Sequence, residues 1–227
     1  ALTSLTTDGI DVTAALRAGH LQVTTATAAH LARGHFDADG TRQRWTAAIH
    51  QARREGYAGL RALTDMSWAS GPVPGAERVG WFEQQLNRIT ADGYGMAVCL
   101  YDLRRCPPPL LATVSRAHPA TITARQSDPE PRLRMNLTAA VLRLSGEADL
   151  SNRDALATLL GHLLEDAGTR PLVTIDLAGL RFADATACEL IVDTGRTAGG
   201  RLRTIGARPL VHRLLTLVGA ALVPGLL

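Results

Sequence analysis

Between Ala124 and Asn136 the chain changes character. The run Arg125-Gln-Ser-Asp-Pro-Glu-Pro-Arg-Leu-Arg134 is polar and charged and carries Pro129 and Pro131. The residue before a proline is pushed out of the α region, and two such positions favour an extended connector over a helix. The stretch therefore reads as a linker at 125–134 that divides the 227 residues into halves of similar size, 1–124 and 135–227. A chain of this length can bury a real core in each half. A hydrophobic share of 46% with 20% charged residues excludes a disordered chain.

The basic residues exclude further classes. All 24 are Arg and there is no Lys, so a phosphate-loop lysine, a Schiff-base lysine and a pyridoxal-phosphate attachment are ruled out. The net charge is only +3 and the arginines are spread along the whole chain rather than interleaved with aromatics in a stripe. They read as solvated residues on helix faces, and no direct nucleic-acid contact is expected. Cys99, Cys106 and Cys188 form no C-x-x-C pair or disulfide framework, and no charged-then-apolar leader precedes them. A reduced, cytoplasmic protein is the expectation. The uncharged tail Leu214–Leu227 is broken by Gly219 and Pro224. It is too short for a membrane span and reads as core or as an interface, the latter opening a homodimer.

Strands and helices alternate in both halves. In the first, His20–Thr25 reads as a strand and Asp39–Glu55 as a helix with Trp45, Ala48, Ile49 and Ala52 at helical spacing. Leu60–Leu63 is a strand, Gly71–Gly75 a turn, and Ala76–Thr90 a helix with Val79, Phe82, Leu86 and Ile89 on one side. Met96–Leu100 has the apolar run of a strand buried on both faces of a parallel sheet. Pro107–Arg116 starts another helix. In the second half Ala140–Leu144, Leu172–Leu177 and Leu202–Ile205 are strands. Helices run from Ser151, read as a cap with Asp154 three residues on, from Ala187 to Thr197 and from Pro209 to Val218. The rhythm predicts an α/β fold with two α/β domains and right-handed crossovers.

Two stretches of the second half, Leu142-Arg-Leu-Ser-Gly-Glu-Ala-Asp-Leu150 and Asp176-Leu-Ala-Gly-Leu-Arg-Phe-Ala-Asp184, with the helix start after them, resemble a STAS domain of the anti-sigma-factor antagonist type. The resemblance covers about Met135 to Leu222. It implies a partner that is an anti-sigma factor and a serine/threonine kinase of the histidine-kinase-like ATPase type. It places the family's Asp at Asp184, its first hydroxyl position at Ala185, its phosphoacceptor at Thr186, and a partner-binding face at Asp184, Thr186 and Glu189. Ala187 and Glu189 stand where the family often has Gly. A helix N-terminus accommodates a phosphate through its free N–H groups and dipole, but Thr186 with Glu189 is also a capping box in its own right.

In the first half, Gly19–Val23, Leu63-Thr-Asp-Met-Ser-Trp68, Trp81-Phe-Glu83, Val98-Cys-Leu-Tyr-Asp102 and His118-Pro119 resemble the MEDS family of sensory domains, itself related to RecA/KaiC-like layered sheets. The resemblance covers about Leu5 to Thr123 and implies a sensor for a small molecule. The family's opening strand and glycine-rich turn have no counterpart before Ala1. Asp65, Tyr101 and Asp102 fall at strand C-termini, where open α/β sheets bind ligands, and Trp68, Glu83 and His118 join them as candidate ligand-binding residues. The same residues have plainer roles open to them: Asp65 and Asp102 as turn caps, Trp68 as core. Cys99 reads as a small core hydrophobe, Cys106 as exposed, and His30 and His35 with Asp37 and Asp39 as a surface loop; no metal ligands are assigned and no cofactor is specified.

The expectation is a non-enzymatic bacterial regulatory protein in which a sensory domain modulates an anti-sigma-factor antagonist, with transcription as the output. The alternative is a small-molecule binder or residual enzyme using Asp65, Glu83 and Asp102, with the STAS domain serving assembly.

Overall fold

A computed structural model of the protein describes residues 2–122, 132–138 and 140–227. The first half opens with three short helices, α1 (Leu2–Thr7), α2 (Val12–Arg17) and α3 (Ala26–His30), followed by α4 (Ala38–Arg54). The last is set locally. Asp37 accepts the Gly40 N–H at 2.9 Å, Asp39 sits in the first turn and Arg53 and Arg54 in the last, which complements the helix dipole at both ends. Strand β1 (Leu60–Asp65), a 3-10 turn at Ser67–Ser70, α5 (Val79–Thr90), β2 (Gly95–Leu100) and α6 (Pro108–Ala117) complete this half. β1 and β2 pair in parallel, Leu60 opposite Gly95 and Asp65 opposite Leu100. Helices α4 and α5 pack on the face that carries Ala97 and Cys99, and a core of Phe36, Met66, Val79, Phe82, Leu86 and Val114 fills the space.

Two expectations for this half are corrected. No strand forms at His20–Thr25; the residues run irregularly and the Thr25 hydroxyl caps α3 by accepting the Ala28 N–H at 3.1 Å. A threonine hydroxyl that can bond the backbone competes with a strand that has no neighbour to pair with. Met96–Leu100 is a strand, but it is not buried on both faces. Met96, Val98 and Leu100 are exposed beside Leu63, which is 62% exposed, because the described helices cover only the opposite face.

The second half is a four-stranded sheet in the order β3 (Leu133–Thr138), β4 (Val141–Ala148), β5 (Val173–Ala183), β6 (Leu202–Ile205). β3 pairs antiparallel with β4, and the remaining pairs are parallel. Helices α7 (Arg153–Ala167), α8 (Ala185–Thr197) and α9 (Pro209–Leu217) cover one face. Their leucines and isoleucines join Leu142, Leu144, Ile175, Leu177 and Leu180 in one core. The other face is polar, with Arg143 3.7 Å from Asp176 and Arg203 bonded to Thr174. Much of the stretch read as linker lies outside the described residues, but Leu133 and Arg134 already belong to β3. Ser151 is not the cap of α7; Asn152 is the N-cap, fully buried, and its side chain ties the Asp149 N–H to the Glu147 carbonyl while Ser151 bonds Asp149. The tail divides: Leu215, Ala220 and Leu226 enter the core, whereas Leu217 and Leu222 are exposed. No helix among the described residues is long and apolar enough to cross a membrane.

The halves touch through α5. It packs on α7, where Arg88 reaches Glu165, Asp166 and His162, while Arg116 of α6 lies 3.3 Å from Asp154. The Leu137 N–H donates to the Ala91 carbonyl at 2.7 Å, and Ala91 is buried in the core of the second half. A cavity of about 510 Å³ lies along this seam, lined by Arg42, His50, Arg88, Asp166 and Arg170 among others.

Two glycines of opposite character give a test of this packing. Gly146, at φ +93°, lies at a register shift between β4 and β5, and a Cβ there would meet the Arg132 carbonyl oxygen at 2.1 Å. Gly146→Ala is expected to destabilise the protein by about 2–4 kcal/mol in urea unfolding, through backbone strain and displacement of β3. Gly161, in α7 with open space around it, is expected to gain about 0.5–1 kcal/mol on Gly161→Ala.

Candidate functional site

Helix α5 carries one charged group inward. Glu83 has no solvent exposure at all. Taking a carboxylate out of water costs several kcal/mol unless donors replace the lost hydration, and here three side chains from two other elements supply them. The Tyr101 hydroxyl donates to Glu83 Oε1, the Cys99 thiol donates to Oε2 at 3.2 Å, and His118 Nε2 lies 3.2 Å from the same oxygen. Cys99 projects inward from β2, Tyr101 follows that strand, and His118 is the C-cap of α6. The Val114 carbonyl, 2.7 Å from His118 Nδ1, fixes the imidazole ring.

The protonation of these groups follows from the burial. Desolvation, then the Glu83 charge and hydrogen bond, pushes both the Cys99 thiol and the Tyr101 phenol far above their ordinary range, so both act as donors. For His118, burial pulls the pKa down, but the Glu83 hydrogen bond and charge, with the Val114 carbonyl, outweigh it and the net direction is upward. A carbonyl facing Nδ1 and a carboxylate facing Nε2 both favour the protonated ring.

The six candidate ligand-binding residues thus separate into three places. Glu83, Tyr101 and His118 come together. Asp65 and Asp102 lie at the C-terminal ends of β1 and β2, around Ser67. Asp65 accepts the Ser67 N–H at 2.9 Å, and the Asp102 N–H donates to Ser67 Oγ at 3.1 Å. Backbone and side-chain hydrogen bonds from Ser67 hold the Asp65 carboxyl below its ordinary range, while Arg104, in a two-pronged contact, brings Asp102 down to about 2. Asp65 is exposed on the face of β1 opposite the one that packs on α4, whereas Glu83 is fully buried, so Asp65, Glu83 and Asp102 do not share a pocket. Trp68 packs against Phe36, with ring centres 4.8 Å apart, and stacks on His30 at 5.6 Å.

Sequence reasoning missed two residues here. Cys99 is not an inert core hydrophobe but a member of the Glu83 network; its inward phase in β2, shared with no charged neighbour in sequence, gave no signal. His30 is not on a surface loop. It is 3% exposed, its Nε2 is 2.8 Å from Thr64 Oγ1, and neither its Nδ1 nor the Trp68 indole N–H has a partner among the described residues. Asp37, next to it in that reading, caps α4. Cys106, expected exposed, is buried at 4%, its N–H bonded to the Asp102 carbonyl, and burial raises its thiol pKa.

In the second half the candidate partner face lies at the start of α8. Asp184 is the N-cap and its carboxylate accepts the Ala187 N–H at 2.8 Å. The capping box read for Thr186 is therefore not formed: Thr186 is the second helical residue, half-buried, and among the described residues its hydroxyl bonds to nothing. Glu189 is exposed one turn on. The Asp184 N–H bonds the Ala148 carbonyl at 3.0 Å, which brings the loop after β4 alongside, and Leu150 and Phe182 are exposed nearby at 69% and 41%.

A domain with a buried polar network beneath its sheet, joined through α5 to a four-stranded sheet backed by three helices, defines a two-domain α/β protein. Comparison with family models agrees with that division. Residues 1–119 match the model described as MEDS, the methanogen/methylotroph DcmR sensory domain, and residues 132–224 match that described as Mlab, STAS domain. The chain belongs to the MEDS family and carries a STAS domain behind the sensory one. No curated protein matches it.

The buried His30 yields a pH prediction. Burial lowers its pKa, opposed by the Glu83 charge and aided by Arg44, so the folded state holds it neutral where the unfolded chain would protonate it. Its contribution to stability is present above its ordinary value of about 6.5 and is lost as pH falls below it. His118, whose pKa is raised, contributes in the opposite sense over the same window, so the check is a difference: in urea melts between about pH 7.5 and 5.5, wild type is expected to lose stability relative to His30→Gln as the pH is lowered.

Proposed function

We propose that this protein is a bacterial signalling component that acts by binding rather than catalysis. On this reading its MEDS domain senses a small molecule and biases the contact of the STAS domain with an anti-sigma factor of the kinase type, in the manner of an anti-sigma-factor antagonist in the cytoplasm. Phosphorylation at Thr186 by that partner switches the contact off.

The observation that carries this reading is the free hydroxyl of Thr186. Asp184 does the capping, so the hydroxyl is committed to no other bond at the helix start. A phosphate there would add about −1.5 to −2 charges. The helix N-terminus accommodates that charge, while Asp184 and Glu189 on the same helix end would make the modified face anionic. Apolar Leu150 and Phe182 supply the kind of contact surface a partner would cover, and a new charge beside them would oppose that contact.

The coupling runs along α5. Glu83 sits in the sensory network and Arg88, five residues later on the same helix, holds α7 of the STAS domain. A ligand that shifts the Glu83 network need move only one rigid element to be felt across the seam, and it acts as a population shift between two arrangements. The alternative, a residual enzyme built on Asp65, Glu83 and Asp102, is disfavoured because these three do not converge.

Wild type, Thr186→Ala and Thr186→Glu are to be compared as baits in native lysate, with phosphate on Thr186 followed by mass spectrometry. Recovery of a histidine-kinase-like ATPase by the first two and its loss with Thr186→Glu is the expected result; equal recovery by all three overturns the switch. Arg88→Ala is expected to leave partner binding intact and to make it insensitive to the sensory ligand, measured as the change in partner affinity on adding ligand.

A further inference from the structure

We propose that Glu83, Cys99 and His118 form a site for a divalent transition-metal ion, zinc(II) being the ion that fits their donors, with three protein ligands and one coordination position left for a small ligand. The inference deepens the sensory half of the reading above. It depends on neither Thr186 nor any partner.

The three donors come from α5, β2 and the end of α6, and their ligand atoms all lie within 4.8 Å of one another. The thiol sulfur and the imidazole Nε2 each stand 3.2 Å from Glu83 Oε2. A tetrahedral zinc site with Zn–N and Zn–O of about 2.0–2.1 Å and Zn–S of about 2.3 Å has ligand-to-ligand edges of about 3.3–3.5 Å. Two edges of the cluster are therefore close to those of a coordination shell, and the third, between the thiol sulfur and the imidazole nitrogen, is no longer than 4.8 Å, within reach of side-chain adjustment.

The surroundings orient each ligand. The Tyr101 hydroxyl takes Glu83 Oε1, which turns Oε2 toward Cys99 and His118. The Val114 carbonyl takes the Nδ1–H of His118 and leaves Nε2 as the ligand atom, the arrangement usual for metal-bound histidine. Tyr101 and Val114 are positioning groups in this scheme. The donor set is one thiol, one imidazole and one carboxylate. Magnesium and calcium take oxygen ligands alone, whereas a sulfur–nitrogen–oxygen set suits zinc and its neighbours. On binding, the Cys99 S–H and the His118 Nε2–H protons pass to solvent and the metal takes their place, so no oxidant or reductant is involved. Three protein ligands are the mark of an open site, and the side chain of His118, 21% exposed while Glu83 has no exposure, marks the side from which a fourth ligand reaches the metal.

The test uses the full chain, stripped with a chelator and titrated with zinc(II) or cobalt(II) alone. The expected result is about one metal per chain by elemental analysis, with a thiolate-to-cobalt charge-transfer band and tetrahedral d–d bands. Cys99→Ser and His118→Asn are expected to lower affinity by about tenfold or more and to remove or shift that band. Cys106→Ser and Cys188→Ser are expected to leave it unchanged. Circular dichroism checks that each variant folds, and X-ray absorption on the wild-type zinc form, expected to show one sulfur among nitrogen and oxygen neighbours, keeps the test decisive if a variant does not. Absence of stoichiometric metal and of the band in wild type makes the cluster a hydrogen-bond network only and overturns the proposal. Metal binding that is indifferent to both Cys99 and His118 overturns it equally. Metal binding that persists while all three Thr186 baits behave alike would uphold the site and reject the phospho-switch, so the two readings fail separately.

Discussion

A carboxylate with no exposure to solvent dictates much of the first domain. Glu83 is tolerated inside because three donors surround it, and each fixes the element that carries it. Cys99 sets the inward phase of β2, Tyr101 sets the path of the chain where that strand ends, and His118 sets where α6 stops. Removing any one donor would leave an uncompensated buried charge, which costs more than the hydrogen bond itself. Such a network holds helix, strand and cap in one mutual geometry.

The second domain is organised on different principles. Its core is almost wholly aliphatic, built largely from leucine, isoleucine and valine of β4, β5 and α7–α9, and its candidate partner face lies at one end of the sheet, where α8 begins. Asp184 is fixed twice there, by its backbone N–H to Ala148 and by its carboxylate to Ala187. Thr186 is thus held in place by a rigid frame without being part of it. The contrast matters for signalling. The first domain encloses its Glu83 network and the second displays Thr186 at its surface, and α5 with Arg88 and Ala91 touches both.

The parallel pair β1–β2 departs from the usual burial of parallel sheets. Its outward residues Leu63, Met96, Val98 and Leu100 are exposed while Ala97 and Cys99 pack inward. An apolar run in sequence looks the same whether one or both faces are covered, which is why Met96–Leu100 read as a strand buried on both sides. The irregular path of His20–Thr25 has a related origin: a short alternating segment becomes a strand only where another strand accepts its hydrogen bonds.

What the sequence determined by itself was everything set by local chemistry and periodicity. That includes the helix read at Asp39–Glu55 and formed at Ala38–Arg54, the strands read from Leu60 and Leu172, the helix starts read at Pro107 and Pro209, the division into two α/β halves and the helix that follows Asp184. Asp65 and Asp102 as turn caps were also legible, because an Asp side chain bonds a backbone N–H two residues on. Tertiary structure alone decided which candidates meet. Glu83, Cys99, Tyr101 and His118 span 36 residues of chain from first to last, and only the crossing of α5, β2 and α6 brings their polar atoms within bonding distance. It also decided that His30 is buried and that Leu133 and Arg134 belong to a strand. In each case the choice is made by a partner distant in the chain, through burial or a long-range backbone bond, and neither leaves a mark on the local pattern of residues.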